Sequence, residues 1–186
     1  GSDAESYAAL LERLLAVLSQ PAQGGNANDY RVWALSVPGV RRAFVFPLRR
    51  GLGTVDLVPM PEVGLPSSQL LDDVQAYIDA LKPVGMGETG FLALAPTPVV
   101  VNVVGDLELE VGVSLAQVMP QIESGLARVF YDTDPGETLH LARIVATIVN
   151  VPGVRDVTLT SPTSNITPAV NSSVIEMVEL GAINLS

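Results

Sequence analysis

The sequence predicts an α+β chain made of two small mixed domains, each with amphipathic helices packed on a short sheet. Three observations lead there. Apolar residues switch between helical and alternating spacing in both halves. Paired prolines at Ala95-Pro96-Thr97-Pro98 stiffen the chain between the halves and remove ladder donors, so residues 1–96 and 97–186 are expected to be separate domains. The pentapeptide Val-Pro-Gly-Val-Arg stands in each half, at 37–41 and 151–155, between a helical and a strand pattern.

The first half opens with Tyr7, Leu10, Leu11, Leu14, Leu15 and Leu18 at helical spacing, an amphipathic helix over 4–18 that needs a surface to lean on. A polar Gly/Pro loop over 19–28 follows. A second helix should begin near Asn28 or Asp29, either of which would cap it, with Tyr30, Trp33, Ala34 and Val37 on one face. Trp33 is expected in the core, beneath a hairpin. That hairpin joins an extended run over 40–48 to a strand over 54–58 through Arg49-Arg50-Gly51-Leu52-Gly53. Pro66-Ser67-Ser68 opens a helix burying Leu70, Val74, Tyr77, Ile78 and Leu81, with Asp72 and Asp73 near its positive end. A short strand over 91–94 closes the half.

In the second half, 99–104 and 107–113 read as two strands, with Leu107, Leu109, Val111 and Val113 alternating against Glu108 and Glu110. Ser114 should cap a helix carrying Leu115, Val118, Met119, Ile122, Leu126, Val129 and Phe130; Pro120 inside it should kink it or delay its start. Asp134-Pro135-Gly136-Glu137 has the signature of a helix N-terminus, with Asp134 as N-cap, and predicts a helix from there to about Val149. Strands are expected over 154–160 and 174–185. In both copies of the pentapeptide, Pro-Gly suits the centre of a type II turn, where Gly accepts a positive φ. The echo reflects either a duplicated unit or convergence on one good helix-to-strand turn.

Composition excludes several functions. Of 186 residues, 48% are hydrophobic and 16% charged, which is too apolar for a disordered chain. No run approaches the ~18 apolar residues of a membrane span, so no membrane role is expected. A formal net charge of −10 repels nucleic acid. Without cysteine and with a single histidine, His140, the chain has few means of metal or acid–base chemistry, and no cofactor is expected. Gly1-Ser2 has the look of an expression-vector remnant, so the natural protein is expected to continue upstream. No signal peptide is visible.

Each chemical signal has a plainer reading. Asp132-x-Asp134-x-Gly136-Glu137 hints at a calcium loop, but an EF-hand needs a ligand at its fifth position and Glu at its twelfth, where Gly136 and Arg143 stand. It reads better as a loop and helix cap. Asp72/Asp73 and Glu108/Glu110 do not converge as a glycosidase pair and read as solvated surface. His140 reads as a surface or half-buried residue. Neither a nucleophile elbow nor a phosphate loop occurs. Arg31, Arg41, Arg42, Arg49 and Arg50 are half of the ten basic residues, within 20 positions of an acidic chain. Among them Arg41, Arg42, Arg49 and Arg50 form a candidate docking patch for an acidic partner, against the plainer alternative of a wet hairpin face.

The run DYRVWALSVPGVRRAFVFPLRRGLGTVDL at 29–57 resembles the baseplate J-like family of phage tail proteins. The resemblance lies in Gly24, Gly25, Asp29, Tyr30, Trp33, Ala34, Pro38, Gly39, Val40, Gly51, Gly53, Thr54 and Val55, and in the upstream Leu11, Arg13 and Leu14. Downstream, Pro135-Gly136-Glu137, Pro152-Gly153-Val154, Ser161-Pro162 and Leu180-Gly181-Ala182-Ile183 are similar to that family's C-terminal domain. The resemblance implies the middle domain over 1–96 and the C-terminal domain over 97–186. It also implies a structural, non-enzymatic wedge component of a contractile tail or related injection machine, assembled in the host cytoplasm and located in the virion baseplate. The implied partners are other baseplate subunits, including a second copy of the chain and a tail protein of the I type. The rival readings are a small-molecule-binding regulatory domain and, more distantly, a carbohydrate hydrolase.

Overall fold

A computed structural model of the chain describes residues 25–83 and 85–186. The helix expected over 4–18 lies outside the described residues. The chain divides into two compact units between Ala95 and Pro96. Among the described residues, no helix is long and apolar enough to cross a membrane.

In the first unit, α1 spans Ala27–Leu35, β1 Arg42–Pro47, β2 Val55–Met60, α2 Ser68–Asp79 and β3 Phe91–Ala93. The sheet order is β1-β2-β3. β1 and β2 form the antiparallel hairpin, and β3 returns parallel to β2 through α2. One face of this sheet packs on the helices, and its core holds Tyr30, Ala34, Leu57, Val74, Ile78 and Phe91. Gln75 of α2 finishes the β3 edge. Its Nε2 donates to the Phe91 carbonyl at 3.2 Å, and its Oε1 accepts from the Ala93 N–H at 2.8 Å.

Three local expectations change here. The cap of α1 is Asn26, not Asn28 or Asp29. Asn26 Oδ1 accepts from the N–H groups of Asn28 (2.8 Å) and Asp29 (3.0 Å). Asp29, buried at the third helical position, accepts in return from the N–H groups of Asn26 (3.2 Å) and Gly25 (2.8 Å). This reciprocal box satisfies orphan donors that one cap leaves open. Trp33 is half-buried, because at 100° per residue it lies at the margin of the stripe centred on Tyr30, Ala34 and Val37. Its ring meets Tyr30 edge-on, with centroids 5.2 Å apart. Finally, α2 buries the i, i+4 row Leu70, Val74 and Ile78 and leaves Tyr77 and Leu81 exposed.

In the second unit, β4 spans Thr97–Leu109, α3 Leu115–Tyr131, α4 Leu141–Val149, β5 Val154–Ser161 and β6 Glu176–Leu185. β4 is central, antiparallel to β5 and parallel to β6. The core runs through Val103, Ile122, Leu126, Leu139, Ile144 and Ile148. The two strands expected over 99–113 are one. Gly105-Asp106, which suggested a break, carries only a register shift against β5, and neighbours on both sides hold the strand straight through. Val111 then falls in the turn after β4, fully exposed, rather than on a strand face.

Pro120 is accommodated within α3, which starts on time at Leu115. Gln117 Oε1 accepts from the Ser114 N–H at 2.8 Å to close its first turn. The helix expected from Asp134 begins only at Leu141. Glu137 does bond back to the Asp134 N–H at 2.9 Å, but Gly136 takes a left-handed φ of +78°. Leu139 is then tied by two backbone bonds to Ile166. A residue so paired cannot also join a helical ladder. The helix is capped instead by a distant side chain, Asn165 Oδ1, which accepts the Leu141 N–H at 3.0 Å.

The two Val-Pro-Gly-Val-Arg segments make the same turn. Gly39 and Gly153 have φ of +95° and +97°. The N–H of Val40 donates to the Val37 carbonyl at 3.2 Å, and that of Val154 to the Val151 carbonyl at 3.0 Å. Both turns carry a chain from the end of a helix into a strand, with all four valines buried.

Candidate docking surface

The four arginines singled out from the sequence lie at the two ends of β1, roughly 20 Å apart at about 3.3 Å per residue. They are two pairs, not one edge. At the near end, Arg41 Nη2 meets Glu62 Oε2 at 3.1 Å, both largely exposed. The Arg42 guanidinium lies 4.9 Å from the Phe44 ring centroid. At the far end, Arg49 and Arg50 turn inward to one carboxylate. Arg49 Nε donates to Asp56 Oδ2 at 2.5 Å, and Arg50 Nε to Asp56 Oδ1 at 2.6 Å.

Asp56 is inside because of strand alternation. Leu57 points to α1 and α2, so Asp56, Val58 and Met60 point to the opposite face, beside Phe46, Phe44 and Arg42 of β1. Its side chain is 0% exposed, that of Arg49 is 8% and that of Arg50 is 22%. A buried carboxylate is tolerated only when paired and hydrogen-bonded. Both oxygens here have a cationic donor, and Arg50 Nη2 is left buried with no acceptor. Asp56 was not singled out from the sequence. An apolar strand run with one acid in it, preceded by Arg-Arg, is the signal that could have found it.

The loop between these strands, residues 48–54, is itself structured. The Leu48 N–H donates to the Thr54 carbonyl at 2.8 Å, and the Gly51 N–H to the Leu48 carbonyl at 3.1 Å. Thr54 Oγ1 donates to the Gly51 carbonyl at 2.7 Å. Leu48 (φ +60°), Gly51 (φ +119°) and Gly53 (φ +75°) all occupy the left-handed region.

The other sequence candidates lie on surfaces or at helix ends. Asp72 and Asp73 are exposed. Glu108 pairs with Arg155 at 2.9 Å across β4 and β5. Asp132 ends α3, and buried Thr133 donates to the Val129 carbonyl at 2.8 Å, so the supposed calcium loop is a helix-to-loop corner. His140 is exposed at the N-cap position of α4. Among the described residues, no group of three or more acidic or imidazole side chains is placed to hold a metal ion. Among the described residues, open clefts of about 400 Å³ lie beside the Pro38-Gly39 turn and at the end of β4 beside Ser186.

Family models of the baseplate J-like central domain and the baseplate J-like C-terminal domain match residues 22–89 and 101–186, in that order. The chain belongs to the baseplate J-like family. It is 30% identical over 176 residues to the Mu-like prophage FluMu protein gp47 of Haemophilus influenzae, covering 89% of this chain and 48% of that one. To the baseplate protein gp47 of Escherichia phage Mu it is 29% identical over 180 residues, covering 88% and 47%. The chain thus spans about half the length of the curated relatives it matches. The cryo-EM structure of the anti-feeding prophage baseplate, 6-fold symmetrised, contains a chain of the same fold. Its TM-score is 0.66 at 15% identity, over 97% of this chain and 42% of that one. The small-molecule-binding reading finds no support among these relatives.

Proposed function

We propose that this baseplate J-like chain is a structural module of the baseplate wedge of a contractile phage tail or related injection machine, joining neighbouring subunits and catalysing nothing. The observation that carries the reading is that both units match, in order, the two consecutive domains of a family whose phage Mu relative is a baseplate protein. Its place is then the virion tail baseplate, after assembly in the host cytoplasm. Its partners are other baseplate subunits, among them a second copy of itself and a tail protein of the I type. In this reading the docking arginines are Arg41 and Arg42, and the burial of Arg49 and Arg50 against Asp56 supports that choice.

Co-expression with the remaining baseplate subunits of its source tests this. The chain should co-purify in fixed stoichiometry, and omitting it should stop wedges from closing into rings. Rings that form without it, or a chain that elutes alone while the others assemble, overturn the reading.

A further inference from the structure

A sheet face open to water leaves alternate residues of its strands wet. β4, central in the second sheet, follows that rule: Val101 and Val103 are buried, Asn102 between them is exposed, and Val100 is 60% exposed. β2, central in the first sheet, does not. From Asp56 to Met60 it is buried without a break. Leu57 belongs to the core beneath α1 and α2. Val58, at 0%, and Met60, at 3% exposed, point the other way, and among the described residues neither joins an apolar cluster. Nor do Phe44 and Phe46, the half-buried residues beside them on β1. Asp56, at the far end of this back face, is closed by the clamp of Arg49 and Arg50.

A valine and a methionine withdrawn from water need apolar surface against them. The sequence holds a stripe that fits. Tyr7, Leu10, Leu11, Leu14, Leu15 and Leu18 recur at helical spacing, and such a stripe is about 17 Å long at 1.5 Å per residue. β1 and β2 have six residues each, a run of about 20 Å. The connection fits as well. Residues 19–24 separate Leu18 from Gly25, and an extended segment of that length reaches about 20 Å. Gly25 lies on the helix side of the sheet, where a Cβ would stand 2.8 Å from Pro83 Cγ, just past α2. Passing from a layer on one side of a sheet to a layer on the other takes about the same distance, at about 10 Å per layer.

We propose that the back of the first sheet is the seat of the apolar stripe of residues 7–18 of the same chain. Leucines laid over Phe44, Phe46, Val58 and Met60 remove both surfaces from water. The first sheet is then closed on both faces, and partners of the first unit are confined to its remaining surfaces. The inference goes beyond the baseplate reading and stands without it.

Pairwise cross-linking of the 186-residue chain tests it, since the sequence has no native cysteine. Phe44→Cys is combined in turn with Leu11→Cys, Leu14→Cys or Leu15→Cys. The control is Phe44→Cys with Ala9→Cys, which helical spacing places opposite the stripe. Under mild oxidation at low micromolar concentration, at least one stripe pair should form a disulfide within a single chain, and the control pair should not. Disulfides between chains would assign the face to a second copy and overturn the proposal. So would the absence of any disulfide, or equal linking through Ala9→Cys. Leu14→Asp gives an independent reading. Peroxide oxidation of Met60, slow in the parent, should rise about ten-fold or more as the cover loosens, while that of Met177, buried in the second unit, stays the same. An unchanged rate at Met60 also overturns the proposal.

Discussion

Arg49 and Asp56 form a nearly dry ion pair at the hairpin end, with Nε 2.5 Å from Oδ2 and 8% and 0% of the side chains exposed. Removing one partner of a buried pair leaves an uncompensated charge. Asp56→Ala should therefore cost about 3–5 kcal/mol. Arg49→Ser should also destabilise, whereas Arg41→Ser, whose pair with Glu62 is exposed, should stay within about 0.5 kcal/mol. Urea unfolding midpoints distinguish these; equal midpoints for Arg49→Ser and Arg41→Ser would count against the clamp.

The aromatic centre of the first unit is Tyr30, stacked on Phe91 with centroids 5.6 Å apart. Burial, and then the nearby Asp29 carboxylate, push the Tyr30 phenol above its ordinary pKa. A raised folded value means that the stabilisation is complete below the unfolded pKa of about 10 and is lost as pH rises through the folded value. Tyr30→Phe should blunt the alkaline loss of stability. At neutral pH it should cost little, since among the described residues the hydroxyl meets only Met86 Sδ, at 3.3 Å. Unfolding free energies of both proteins from pH 8 to 12 check this.

The cap on α4 comes from outside the helix. Asn165→Ala removes the acceptor for the Leu141 N–H and should cost about 1 kcal/mol. His140→Ala, at the N-cap position but with no side-chain cap bond, should cost almost nothing. Thermal melts that rank the two the other way round would refute the assignment.

The twin turns differ in their surroundings. Alanine at Gly39 or Gly153 meets a left-handed backbone worth about 1–2 kcal/mol against it. At Gly153 the new Cβ would also stand 2.9 Å from Val113 Cγ1, whereas at Gly39 the nearest atom, Leu70 Cδ1, is 3.4 Å away. Gly153→Ala should thus be the more destabilising, as differential scanning calorimetry of the two variants would show.

Features governed by neighbours within a few residues were legible in the sequence by itself. The Pro-Gly turns required glycine at positive φ, Ser67 and Ser114 marked where α2 and α3 begin, and the hairpin stood out between two apolar runs. The motif order pointed to the family for the same reason, because turn residues at fixed spacing are demanded by the backbone itself. Tertiary structure alone decided which groups those elements bring together. The Asp134-Pro135-Gly136-Glu137 signal was sound locally but lost to Ile166, which holds Leu139 outside the helix. The five clustered arginines were visible, yet Asp56 withdrew two of them from the surface. Strand alternation put that carboxylate on a buried face, and an ion in a buried site takes whatever counter-charge lies within reach.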